Sequence, residues 1–98
     1  MASFIARVEL HDARSLDYET LHREMAGEGF SRTITGDKGV YELPTAEYDI
    51  NGQYSRADIL DKADRAATKT LKRHGILVTE FAGCAWRGLK QVRAAQRV

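Results

Sequence analysis

Phe4-Ile5-Ala6-Arg7-Val8-Glu9-Leu10-His11 decides the fold. Phe4, Ala6, Val8 and Leu10 face one way and Ile5, Arg7, Glu9 and His11 the other, the period-two alternation of a half-buried strand. A strand with one apolar face needs a covering layer, and the next segment supplies it. After the exit loop at 11–14, Ser15 or Asp17 caps a helix. In that helix Tyr18, Leu21 and Met25 recur at helical spacing, with His22 on the border of the apolar face. Glu19 and Arg23 form an outer i,i+4 pair, and Gly27 and Gly29 end the helix.

Downstream, residues 30–35 read as a second strand and Gly36-Asp37-Lys38-Gly39 as a hairpin tip. Residues 40–50 read as a third, longer strand interrupted by Pro44. Proline removes a ladder donor, so a bulge is expected there. Such a bulge puts Tyr41 and Leu43 on one face with Ala46, Tyr48 and Ile50. Ser55-Arg56-Ala57-Asp58 resembles a capping box and opens a second helix. Its inward side is Ile59, Leu60, Ala63, Ala66, Ala67, Thr70 and Leu71, its alanines fit close approach to the sheet, and Asp58–Lys62 and Asp61–Arg65 are i,i+4 pairs. Gly75 ends this helix, residues 76–81 form a fourth strand and Gly83 breaks it. Beyond it Trp86, Leu89 and Val92 sit at helical spacing, with a short further strand as the alternative.

Strand, helix, strand, strand, helix, strand is the order of an α+β split-βαβ sandwich: a four-stranded antiparallel sheet with two helices on one face, followed by a short C-terminal helix or strand. Residues 1–83 form the domain and 84–98 a basic extension. The helices cover one face; the other must meet water, a ligand or a second copy of the chain.

At 98 residues the chain is one domain whose core is small enough for dimerisation to add stability. Apolar residues at 43% and charged residues at 30% fit a globular chain rather than a disordered one. The net charge of +1 provides no global attraction to nucleic acid or membrane, so electrostatic binding must come from local asymmetry. Cys84 stands alone, so no disulfide forms within the chain. No stretch reads as a signal peptide or a membrane span, and a cytoplasmic location is expected.

Four groupings bear on chemistry. His11 and Asp12 end the first strand: Asp12 has the chemistry of a base or of a divalent-metal ligand, and His11 that of a proton shuttle near neutral pH. The structural alternative is that Asp12 satisfies loop amides and His11 is an exposed strand residue. Trp86 with Arg87, Lys90, Arg93 and Arg97 forms an acid-free tail, suited to stacking and phosphate neutralisation on a single-stranded nucleic acid, or to a solvated terminal helix whose tryptophan packs inward. Arg65, Lys69, Lys72, Arg73 and His74 crowd the end of the second helix, where the helix dipole accounts for them. Arg32, in Ser31-Arg32-Thr33, is a phosphate clamp or a charge that blunts edge pairing. A P-loop, a dinucleotide fingerprint, a nucleophile elbow and a histidine metal spacing are all missing. The Arg7 and Glu9 face carries no stacking ring, which excludes an ordinary RNA-recognition motif.

The stretches Ala6-Arg7-Val8-Glu9-Leu10-His11, Asp17-Tyr18, Leu21-His22, Gly29-Phe30-Ser31-Arg32-Thr33-Ile34, Leu43-Pro44-Thr45-Ala46-Glu47-Tyr48 and Leu77-Val78-Thr79-Glu80 resemble small bacterial proteins of the GhoS-like antitoxin family. The likeness spans residues 4–81 and excludes the Trp86 tail. It implies a ferredoxin-like fold related to the CRISPR-adaptation nucleases, a homodimer formed through the sheets, and endoribonuclease action on the messenger of a small membrane toxin. In those nucleases an aspartate near the end of the first strand binds metal between protomers; Asp12 lies near that place, one residue beyond His11. On this reading His11 and Asp12 act at the ribose 2′-hydroxyl, Arg32 acts at the phosphate and Arg7 holds the RNA; the charge pattern of the tail, not the likeness, adds Trp86, Arg87 and Lys90 to the RNA-holding residues. The alternative is a non-enzymatic dimeric binding module for nucleic acid or a protein partner, from a mobile element.

Overall fold

Phe4, Ala6, Val8 and Leu10 are buried, as the alternation requires, because β1 (Ala2–Leu10) is the middle strand of a three-stranded antiparallel sheet. β4 (Glu47–Gly52) lies on one side, with Ile50 opposite Phe4 and Glu47 opposite Arg7. β5 (His74–Phe81) lies on the other, with Ile76 opposite Val8 and Leu77 opposite Arg7. This computed structural model describes residues 1–92; Arg93 and Arg97 of the tail lie outside the described residues.

Two helices, α1 (Ser15–Gly27) and α2 (Arg56–Thr68), cover the apolar face of this sheet. Leu21 and Met25 of α1 and Ile59, Ala63, Ala66 and Ala67 of α2 join Phe4, Val8, Tyr48 and Ile50 in one core. The alanines let α2 lie close to the strands, and each large buried side chain such as Ile59 contributes about 1.5–3 kcal/mol. The Ser55 box forms: Asp58 N–H donates to Ser55 Oγ (3.0 Å) and Ser55 N–H to Asp58 Oδ2 (2.8 Å). At α1 the capping position falls on Arg14, and Asp17 instead reaches back from the first turn to accept Arg14 N–H (2.9 Å).

The charge pairing differs from the expected i,i+4 pattern. Acids of α1 meet cations of α2 and of the turn after it: Glu28 with Lys62 and Arg65, Glu24 with Lys69, and Asp17 with Lys72. The helices run antiparallel, so a ladder between them satisfies more charges than pairs along either helix. Leu60 and Leu71, expected inward, are exposed. Leu71 follows the helix end in a left-handed turn (φ 63°), which swings it outward to 92% exposure.

The third strand is the main correction. Residues 40–50 do not form a single strand, and the strands group as two three-stranded sheets rather than clearly as one four-stranded sheet. Instead β3 (Gly39–Glu42) and β4 are separate strands, parted by Pro44, which has no N–H to give, and by Ala46 at φ 68°, a left-handed conformation rare for a residue with a side chain. β3 pairs with β2 (Thr33–Gly36) and β6 (Gln91–Val92) in a second three-stranded antiparallel sheet. Tyr41 therefore leaves the core shared by Tyr48 and Ile50 and sits on the second sheet. The C-terminal alternative resolves as a strand, pairing Val40 with Val92 and Tyr41 with Gln91. Glu42 N–H also donates to the Lys90 carbonyl (2.8 Å), and Gln91 Nε2 to the Lys38 carbonyl (2.7 Å). One isolated antiparallel bridge, Ser31 with Asp49, ties the second sheet to the first. Among the described residues no helix is long and apolar enough to cross a membrane.

Candidate nucleic-acid interface

The second sheet brings together charges that lie far apart in sequence. Residues 32–42 and 84–92 contain four cations and two acids, while residues 1–31 and 43–83 contain nine cations and twelve acids. A nearly neutral protein is thus an acidic α/β layer joined to a basic unit. The pairing repeats the segregation. Arg56, Lys62, Arg65, Lys69, Lys72 and Arg73 each meet a carboxylate. Arg32, Lys38, Arg87 and Lys90 meet none among the described residues, and all four are exposed. The cations at the end of α2 are therefore neutralised in place, whereas the β2-β3-β6 unit carries four unpaired cations; Arg7 on β1 and Arg14 and Arg23 of the α1 segment are exposed and unpaired as well among the described residues.

Trp86 is half-buried on that unit. Its ring lies 5.4 Å from the Tyr41 ring, tilted by 57°, and rests on Gly36, where a Cβ would come within 2.7 Å of it. Glycine at the hairpin is what admits the indole. Arg87 and Lys90 follow it on the same strap.

Between the two sheets lies a cleft of about 520 Å³. Its floor is the sheet face opposite the helices. Asn51, Ser3 and Phe81 form one row across the three strands, with Asp49 one row further in. Its other wall is β2 and residues 83–86, ending at Trp86. Asn51 Nδ2 donates to Asp49 Oδ2 (3.2 Å). Burial raises the Asp49 carboxyl above its ordinary pKa, and the bond from Asn51 opposes the rise.

At the far end of β1 the arrangement is looser. His11 and Asp12 are both exposed. His11 N–H donates to the Arg73 carbonyl (2.8 Å), which closes the strand end. Asp12 has φ 54°, and its one ion pair, with Arg73, is 4.0 Å long and almost fully exposed. Such a contact positions little. Arg32 does not join them. Its carbonyl accepts Leu43 N–H (2.8 Å), and its charge acts on His22 and Tyr48. Arg7 stands exposed on the sheet face, beside Glu9 and Leu77.

His22 and Tyr48 form a contact that sequence periodicity left at a border position. His22 Nδ1 and Tyr48 Oη are joined by a 2.6 Å hydrogen bond, and Phe30 packs edge-on against the Tyr48 ring. Burial, then the charge of Arg32, lowers the His22 imidazole below its ordinary pKa, against a smaller upward pull from Glu19. Burial also raises the Tyr48 phenol well above its usual value. The pair is held neutral. His74 is the opposite case: Asp64 Oδ1 lies 2.8 Å from its Nε2 and the Lys72 carbonyl 2.9 Å from its Nδ1, so both nitrogens favour protons and its pKa is raised.

No family model, curated protein or solved structure matches this chain. Its function is therefore argued from the geometry. Among the described residues no three His, Cys, Asp or Glu side chains converge as a metal site. Asp49, Asn51, His22 and Tyr48 were not singled out from sequence, and the two pairs became visible for different reasons. An alternating strand marks Asp49 and Asn51 only as same-face neighbours. Only the tertiary fold brings His22 to a hydroxyl 26 positions away.

Proposed function

We propose that the chain is a GhoS-like cytoplasmic protein that engages single-stranded RNA through its β2-β3-β6 unit and acts, as a homodimer, as an antitoxin-type endoribonuclease on a specific messenger. The observation that carries this reading is the concentration of four unpaired cations, Arg32, Lys38, Arg87 and Lys90, on one unit beside an aromatic pair. Phosphates need the cations, and bases need the rings.

The ferredoxin-like fold belongs to the same proposal. The Ser31–Asp49 bridge, two residues before β2, lies against β4 and supports an order β5-β1-β4-β2 with both helices on one face. On this view the third strand of such a sandwich was cut by Pro44, and its first half turned away to form the second sheet.

Cleavage proceeds by attack of the ribose 2′-oxygen on the adjacent phosphorus. The P–O5′ bond breaks, leaving a 2′,3′-cyclic phosphate and a 5′-hydroxyl. His11 and Asp12 take the 2′-hydroxyl proton, a proton from solvent goes to the leaving 5′-oxygen, and Arg32 and Arg7 hold phosphates elsewhere along the strand. A second copy shields Leu77, which is 63% exposed on the bare part of the sheet. The test is a panel of defined RNAs incubated with pure protein and with a His11→Ala, Asp12→Ala double variant. Site-selective products from the wild type alone are expected. Identical background products from both end the enzymatic reading. Retained RNA binding would then favour the non-enzymatic module, which the exposed, loosely held state of His11 and Asp12 supports.

A further inference from the structure

We infer that the cleft between the two sheets is a nucleobase pocket that selects guanine in single-stranded RNA. This rests on the RNA-binding reading and deepens it by assigning what the cleft reads.

The lining sets the chemistry. Asp37 and Asp49 border the cleft, and among the described residues no lysine or arginine does. A phosphate has no partner inside; the cations that suit it, Lys38, Arg87 and Lys90, belong to the strands and strap that form the outer wall. The group that enters must be planar, uncharged and rich in donors. Phe81 ends the floor row, and Trp86 closes the opposite wall, so a flat ring has aromatic surface on two sides. The volume, about 520 Å³, falls within the roughly 300–1,000 Å³ usual for small-ligand sites.

Polar groups decide which base. Asp49 offers a carboxylate whose Oδ2 already accepts from Asn51, leaving Oδ1 and the remaining lone pairs for a ligand. Asn51 Nδ2 keeps one further N–H to give. Acceptors beside a donor complement guanine, which presents N1–H and N2–H beside the O6 acceptor. Adenine and cytosine each present one amino group beside a ring-nitrogen acceptor, which would face the carboxylate unpaired. Uracil presents one N–H between two carbonyls. Leaving a buried polar group unpaired is the larger penalty, so discrimination follows from the mismatch.

The chain contains one tryptophan, and it borders the cleft, so intrinsic fluorescence reports occupancy directly. The experiment titrates the full chain with the ribo-tetranucleotides UUGU, UUAU, UUCU and UUUU, following Trp86 emission. UUGU is expected to quench with an affinity at least about tenfold tighter than the other three. Asp49→Asn, which keeps the shape and removes an acceptor, is expected to bring all four within about twofold, with UUUU binding unchanged. Asn51→Ala, which leaves the carboxylate in place, is expected to reduce the guanine preference in part. Salt-dependent binding of all four without base preference overturns the guanine pocket while leaving the RNA-binding reading intact. A preference retained in both variants also overturns it. Binding of none of the four, at low salt, overturns the RNA-binding reading itself.

Discussion

Neutralising Arg87 and Lys90 together tests whether the basic unit is an RNA surface. Arg32, Lys38, Arg87 and Lys90 are the exposed cations of that unit without ion pairs among the described residues. If each meets one phosphate, four counterions leave the strand on binding. For single strands log K falls by about 0.7 per phosphate per decade of salt, so the wild-type slope is about −2.8. Raising salt from about 50 to about 200 mM then weakens binding about 50-fold. Arg87→Ala, Lys90→Ala removes two contacts, halves the slope to about −1.4, and reduces the same salt effect to about 7-fold. Neither side chain supports the core; the strap is held here by the Lys90 carbonyl and by Gln91, which the substitutions leave alone. Fluorescence anisotropy of a labelled, unstructured oligoribonucleotide at four salt concentrations measures both slopes. Equal slopes for the two proteins, or a wild-type slope near zero, refute the reasoning.

Two further predictions concern the histidines. Tyr48→Phe removes the hydroxyl bonded to His22 while filling the same space. It should cost about 1 kcal/mol, the usual worth of one such bond. For a domain of this size that is a fall of roughly 4–8 °C in thermal midpoint by circular dichroism, and an unchanged midpoint contradicts it. Asp64→Asn should lower the His74 pKa toward its ordinary 6.5, as followed by histidine ring resonances. A raised folded pKa means the native state holds the proton more tightly, so this stabilisation is complete below pH 6.5 and is lost as pH rises through the folded value. The variant should show a flatter denaturation profile above pH 6.5, and a profile as steep as the wild type's counts against the Asp64–His74 pair.

The sequence was most legible where local chemistry determines the structure. β1 could be read from strict alternation, α2 from the Ser55–Asp58 box, and the close helix approach from Ala63, Ala66 and Ala67. Legibility failed where the decision was tertiary. Pro44 announced a break, but nothing marked Ala46 for a left-handed turn, and that turn converts a bulge into two sheets. The charge ladder between α1 and α2 was missed because i,i+4 spacing is visible in a sequence and helix adjacency is not. The basic unit was half visible: the tail cations stood out, whereas Arg32 and Lys38 joined them only through pairing across some fifty residues. His11 and Asp12 stood out by type and position, but the fold leaves them exposed and gives the half-buried, partnered role to His22.

The second sheet also changes the argument from the bare sheet face. A single layer covered on one side has its whole other side to offer a twin molecule. Here the chain covers part of that side itself: the row Asn51, Ser3 and Phe81 looks across the cleft at β2 and the Trp86 strap. What stays open is the opposite end, around Arg7, Glu9 and Leu77. A dimer built face to face would therefore use that smaller end, with Leu77 as its apolar anchor. The nucleotide-sized cleft and the basic unit then remain free on each protomer. On the proposed reading, such a dimer and the basic unit draw on different ends of one sheet, and neither needs the strap to move.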